Sequence, residues 1–291
     1  MEWEAEKYEK NAQLQFKIGM HAIDLLNPQG SEKVLDIGCG TGVLSLQIAQ
    51  KLDSGTIIGV DPDASMIAFA MQAIDRNNAT NFSVIQASAT ELDFHEEFDA
   101  VFSNIVIHWV QNVQKLFQIL HAALKPGGRL VIATIYNPGS SKDLDPRNTT
   151  IYKIESSIIG TFAAEGYFAD IFPAAELQAH IAIGVKGFRY NAYRLKALQR
   201  MLEKAGFQDI QLNAQLLWHE FETLDAYMDF QEVSGASWLW FQALFPATNR
   251  DNARLRFREL IRVKWEEIPV EQRECPIRVK WPVVFIQAKK E

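Results

Sequence analysis

Between Val34 and Gly42 the chain reads VLDIGCGTG, and no other stretch limits its fold so tightly. Val34, Leu35 and Ile37 suit a strand buried on both faces, with Asp36 riding near its end. Glycines at 38, 40 and 42 then alternate before GVLSLQIAQKL (42–52) takes up helical spacing. Glycine admits positive φ and carries no Cβ, so a ligand can lie directly against the backbone of such a turn. The start of the helix offers unpaired N–H groups to an anionic group. In the dinucleotide fingerprint the third glycine comes three residues after the second, where this chain has Val43, and that spacing weakens a nicotinamide reading.

The same strand–helix alternation continues. Strands are expected at 33–38, 55–60, 81–86, 98–103 and 129–135, with helices at 42–52, about 63–76 (Asp63 as N-cap) and 112–124 between them. Lys125-Pro126-Gly127-Gly128 reads as the stop signal of the last of these helices. After Tyr136 the rhythm breaks into a polar loop at 137–150 and an aromatic-rich helical region. Residues 193–205 return to a helix ended by Gly206, 207–219 alternate like a strand, and 222–277 look helical. The final segment, 278–289, reads as a strand whose Pro282 should sit near its start or beside an irregularity. The expected organisation is a core of 1–136, 193–221 and 278–291, with an N-terminal helical segment over 1–30. Two helical insertions, 137–192 and 222–277, would cap it. The fold class is therefore α/β, a doubly wound, mostly parallel seven-stranded sheet with helical cap insertions.

Composition narrows the partners. The 291 residues carry a net charge of −7, which argues against general nucleic-acid binding, where affinity comes largely from Lys and Arg neutralising phosphates. Two cysteines, Cys39 and Cys275, make neither a disulfide framework nor a metal cluster of the usual spacing. No secretory signal or run of apolar residues long enough to span a bilayer is read, so the expectation is a cytoplasmic protein, monomer or homodimer, with no metal and no membrane attachment.

A second motif lies at the end of the next strand, Gly59-Val60-Asp61-Pro62. An acid about 20 residues beyond such a glycine turn can accept hydrogen bonds from both hydroxyls of a ribose. Either element alone has an ordinary explanation, tight strand–helix packing or a helix cap. Together they indicate an adenosine-bearing ligand.

With these pieces in order, the chain resembles the class I S-adenosylmethionine-dependent methyltransferases over residues 33–135. VLDIGCGTG looks like their first motif, IIGVDPDASMI their second, and LKPGGRLVIAT the segment leading into their fifth strand. The resemblance implies S-adenosyl-L-methionine as cofactor and S-adenosyl-L-homocysteine as product. It places Gly38, Gly40 and Gly42 along the methionine part, Asp36 near its amino group, Asp61 on the ribose hydroxyls, and Pro62 and Met66 near the adenine. Ala87 and Ser88 follow the third strand, where the family often has an acid for the adenine amino group, and Asn104 follows the fourth. Ser88 in place of that acid implies a weaker adenine contact, or one made through backbone and water.

Ser103-Asn104-Ile105-Val106-Ile107-His108-Trp109 follows the fourth strand, and ligands of doubly wound sheets sit outside the carboxyl ends of the strands. This stretch resembles the S-N-x-x-x-H-W segment of juvenile hormone acid methyltransferases and is similar to that of trans-aconitate and malonyl-carrier-protein methyltransferases. Tyr8 and Gln15 continue the likeness to the juvenile hormone enzymes, which implies that Gln15 and Trp109 hold a substrate carboxylate. The expected reaction is O-methylation of a small-molecule carboxylate, a nucleophile already ionised near neutrality. The rivals are N-, C- or phenol O-methylation with His108 as general base, and a non-catalytic cofactor-binding protein.

Overall fold

A computed structural model of the chain describes residues 12–138, 150–151, 153–154, 157–158, 193–234 and 250–291. Tyr8, and the aromatic residues expected in the insertions at Phe162, Tyr167 and Trp238, lie outside these. The described residues fall into two compact units, one of 12–138, 193–215 and 282–291, the other drawn from 150–158, 216–234 and 250–281.

In the first unit, helix α1 (Gln13–Leu26) buries Leu14, Ile18, Ala22 and Leu26 at successive four-residue steps, one stripe of a 3.6-residue period. It ends at Asn27, whose left-handed backbone (φ 47°) returns its N–H to the Ile23 carbonyl. Strand β1 (Lys33–Ile37) is buried from Val34 onward and pairs in parallel with β2 (Thr56–Asp61) on one side and β4 (Phe98–Asn104) on the other. That central position is why it reads as an apolar run with a single acid in it. Helix α2 (Val43–Ala49) follows β1, and α3 (Ala64–Asn77) follows β2. As the sequence suggests, Asp63 caps α3, its carboxylate accepting from the N–H groups of Ser65 and Met66.

Strand β3 (Phe82–Gln86) forms one edge of the sheet. After β4 come α4 (Val113–Ala123) and β5 (Leu124–Ile135), then α5 (Leu195–Ala205), β6 (Gln208–Phe221) and, at the end of the chain, β7 (Ile277–Lys289). The seven strands lie in the order β3-β2-β1-β4-β5-β7-β6, parallel from β3 through β5, with β7 antiparallel to β5. This is the doubly wound, mostly parallel sheet expected from the sequence. Phe98, Phe117, Leu116, Leu120, Leu130 and Ile132 anchor its core, each fully buried.

The structure sharpens two local expectations. The helix before Lys125-Pro126-Gly127-Gly128 ends as expected, at Ala123, but β5 begins at Leu124 and not at 129. Leu124 already pairs with Phe98, and the end of the chain completes the irregular stretch, with Gly127 N–H donating to the Lys290 carbonyl and Lys290 N–H to that of Gly128. Of the two places expected for Pro282 the structure gives the second: it sits inside β7, at the break where pairing with β5 starts. Pairing with β5 begins one residue later at Val283, so the missing proline N–H breaks no bond of that ladder, and its carbonyl accepts from Tyr136 N–H at 3.0 Å.

The second unit includes α6 (Leu224–Ser234) and α7 (Arg250–Glu266). Its aromatic core places Phe230 against His219, Phe221 and Trp281. Arg258 of α7 reaches Asp225, Asp229 and Glu232 of α6. Among the described residues no helix is long and apolar enough to cross a membrane, and no three His, Cys, Asp or Glu side chains gather as a metal ion would need.

Candidate functional site

Nearly all the residues singled out by the sequence converge at the carboxyl ends of β1, β2 and β4. Gly38, Gly40 and Gly42 all have positive φ (72°, 54° and 79°), yet they serve different ends. A Cβ on Gly38 would lie 2.3 Å from Cγ2 of Val106, so this glycine lets the loop after β4 rest on the turn. A Cβ on Gly42 would press on Ala70 and Phe82 at 3.1 Å, a packing requirement of α3 and β3. At Gly40 no described residue beyond its chain neighbours lies within 4 Å of where a Cβ would be. Of the three, it alone leaves its backbone uncovered by the described residues.

Asp61, the last residue of β2, clasps that open turn. One carboxylate oxygen accepts from Gly40 N–H at 3.0 Å and the other from Asp63 N–H at 2.9 Å. Each oxygen keeps a lone pair for a further donor. Burial pushes the Asp61 carboxyl above its ordinary value, against the opposing pull of the Asp63 and Gly40 N–H groups. Asp36 is 2% exposed and accepts from the Ser45 hydroxyl at 2.5 Å. Burial raises it to about 7, with the Ser45 hydrogen bond opposing and the nearby Asp61 charge adding to the rise. Neither carboxylate has a cationic partner among the described residues.

The neighbouring positions are ordered by the same turn. Ala87 N–H donates to the Asp61 carbonyl, the Ser88 hydroxyl bonds that of Thr90 at 3.0 Å, and Gln86 reaches the Pro62 carbonyl. Met66 is buried in the first turn of α3.

After β4 the backbone takes an unusual course. Ile105 is a β-branched residue at φ 56°, in the left-handed region, and its N–H donates to the Ala133 carbonyl at 2.8 Å. Strain of this kind concentrates where a loop must be aimed. Here it follows Asn104 and precedes Val106, which covers Gly38. The Asn104 side-chain N–H group donates to the Gln15 main-chain carbonyl at 3.0 Å, tying α1 to the end of β4. Gln15 is 4% exposed, and its Oε1, like Oδ1 of Asn104, is buried with no hydrogen-bond partner among the described residues. A buried amide oxygen without a donor is costly unless a ligand supplies one.

His108 is buried, with Nδ1 3.4 Å from the Thr134 hydroxyl and its ring 5.2 Å from that of Trp109. Burial lowers it to about 3, so it is neutral across the physiological range. Trp109 is half-buried, at the end of a short 3-10 turn (Ile107–Trp109). Ser103, the serine of the Ser103–Trp109 segment, donates its hydroxyl to the Ile37 carbonyl at 2.9 Å, whereas Ser45 and Val106 had no role assigned from the sequence. Ser45 left this trace in the sequence: it is a hydroxyl on the helix that the glycine turn opens.

The family profile described as a methyltransferase domain matches residues 28–206, more than half of the chain. The chain belongs to the methyltransferase-domain family. Curated relatives include malonyl-[acyl-carrier protein] O-methyltransferase of Priestia megaterium, 24% identical over 168 residues, covering 58% of this chain and 58% of that protein. Phosphoethanolamine N-methyltransferase 1 of Triticum aestivum is 28% identical over 198 residues, covering 67% of this chain and 32% of that protein. The chain thus spans about a third to three-fifths of the length of these relatives. Among solved structures, the YcgJ protein of Bacillus subtilis superposes with a TM-score of 0.58 at 18% identity, covering 95% of this chain and 99% of that one. Haemonchus contortus phosphoethanolamine N-methyltransferase 2, solved with S-adenosyl-L-methionine, gives 0.55 at 18% identity, covering 98% and 56%. As a methyltransferase domain, the chain presents Gly40, Asp36 and Asp61 at the carboxyl ends of its strands, where ligands of doubly wound sheets bind.

Proposed function

We propose that the chain is an S-adenosylmethionine-dependent methyltransferase acting on a small molecule, and that the acceptor is a carboxylate. The observation that carries the cofactor is Gly40, a left-handed glycine opening on free space and clasped by the Asp61 carboxylate. The residues present fit the group. Gly40 gives backbone access, Asp61 keeps acceptor capacity for ribose hydroxyls, and Asp36 is a buried carboxylate without a cation. In the same reading Gly38 and Gly42 shape the turn, while Pro62, Met66, Ala87 and Ser88 line the adenine side and Asn104 the methionine side.

When bound, S-adenosylmethionine supplies an electrophilic methyl group on a sulfonium and departs as S-adenosylhomocysteine. Transfer is an in-line displacement, so the chain's own contribution is alignment. Gln15 and Trp109 are assigned to the substrate carboxylate, which would accept from their side-chain N–H groups. His108, neutral and with its acidity set near 3, is a weak proton acceptor, which favours a nucleophile that arrives already ionised. We assign substrate selection to the insertions at 137–192 and 222–277, and read the protein as cytoplasmic, a monomer or homodimer.

The test is transfer of labelled methyl from S-adenosylmethionine to a panel of small carboxylic acids and malonyl thioesters. A base-labile methyl ester, lost in the Gln15→Ala, Trp109→Ala double variant, is expected. A base-stable methyl on an amine would move the assignment to N-methylation. Cofactor binding without any methylated product would leave a binding protein.

A further inference from the structure

Asp36 is the buried acid of the glycine turn, and no cationic group acts on it among the described residues. Its strand neighbours in register are Gly59 on β2 and Phe102 on β4, both uncharged. Cys39 in the turn is a thiol that burial holds protonated, and Asp61 is a second acid. The side-chain hydrogen-bond donor to Asp36 is Ser45, fully buried on α2, nine residues along the chain, whose hydroxyl donates to Asp36 Oδ2. A carboxylate this deep, beside a like charge, is poorly placed to remain ionised, and a hydroxyl donor is what favours its charged form.

We infer that Ser45 is a positioning residue for the cofactor: its hydroxyl keeps Asp36 aligned and ionised beneath the glycine turn, ready for a cationic amino group. The inference rests on the functional reading above. Because the acid sits near 7, the affinity of the wild-type chain for S-adenosylmethionine should fall as pH drops through neutrality. Removing the hydroxyl takes away the one side-chain donor that holds this acidity down, so the fall should come at higher pH.

The experiment has two readouts on the full chain. In the ligand-free protein, the carboxyl carbon of Asp36 is titrated by NMR in wild type and Ser45→Ala. Its midpoint should rise by about one pH unit or more on loss of the hydroxyl. Calorimetric titration with S-adenosylmethionine from about pH 6 to 9 should then show Ser45→Ala weakened about fivefold near pH 7 and close to wild type near pH 9. Ser45→Thr, which keeps the hydroxyl, should follow the wild-type profile. If Ser45→Ala does not fold, Ser45→Cys, a weaker donor of similar size, should shift the profile in the same direction. A loss of affinity by the same factor at every pH, or an unmoved Asp36 midpoint, overturns the inference and leaves the cofactor assignment standing. Absence of binding by the wild type at any pH overturns both.

Discussion

The two ends of the parallel sheet treat charge in opposite ways. At the amino ends of β1, β4 and β5, acids are matched by cations. Lys33 pairs with Glu97, Lys125 reaches both oxygens of Asp99, and Arg129 grips Glu32 through two nitrogens while its Nε donates to the Leu26 carbonyl. Despite the cost of partial burial, Arg129 and Lys125 hold the Glu32 and Asp99 carboxyls below their ordinary values. At the carboxyl ends, Asp36 and Asp61 are raised by burial, and neutral N–H and O–H groups are the donors they have. One end is electrostatically complete. The other is left for a ligand to complete, and a ligand bearing positive charge, such as a sulfonium with its ammonium, answers it.

If that division is right, substitutions at the carboxyl end change binding and those at the amino end change stability. The largest effect is expected at Gly40. Gly40→Val puts a side chain into space the chain leaves empty, so S-adenosylmethionine affinity should drop by up to about a hundredfold, the upper range for overpacking. Thermal unfolding should move far less than for Gly38→Val, whose side chain would collide with Val106. Equal losses of stability would break the comparison. At the other end, Arg129→Ala abandons a bidentate pair and two carbonyl contacts. It should cost about 2 kcal/mol in denaturant unfolding while leaving cofactor affinity within about twofold.

The pH response should separate the two ends in sign. Glu32 and Asp99, held low in the folded chain, contribute stability above their unfolded values of 4.5 and 3.8 that is lost as the pH falls through their folded values. Asp36 does the reverse. Raised from 3.8 to about 7, it makes the ligand-free fold lose stability as pH rises through that window. Comparing the pH dependence of unfolding for wild type and Asp36→Asn isolates the effect: the difference between the two curves should change across the window and flatten above it. His108, depressed to about 3, should add a loss of stability only as pH falls below 6.5, and no limb near neutrality in the pH profile of turnover. The smallest effect is expected at Ile105. Ile105→Gly relieves backbone strain of about 1 kcal/mol, so stability should hold or rise slightly while KM worsens as the Asn104–Val106 loop loosens.

What the sequence disclosed was whatever depends on near neighbours in the chain. The glycine turn, Asp61 at a strand end, the Asp63 cap and Gly206 as the end of α5 are local patterns, and each stands in the structure where the residues put it. Partnerships across the sheet were not legible. That Ser45 would meet Asp36, that Asn104 would hold the Gln15 carbonyl, and that Lys290 would complete the Gly127-Gly128 stretch depend on register and packing. The three glycines were equivalent in the sequence, and only their surroundings distinguish the open one from the two that make room for Val106 and for Ala70 and Phe82.

The most direct test of the central claim is calorimetric titration of the wild-type chain and Asp61→Ala with S-adenosylmethionine. The account predicts saturable binding to the wild type, weakened about tenfold or more by the substitution, as expected for losing a buried charged acceptor. A folded wild-type chain that binds no S-adenosylmethionine, or an Asp61→Ala variant that binds it equally well, would contradict it.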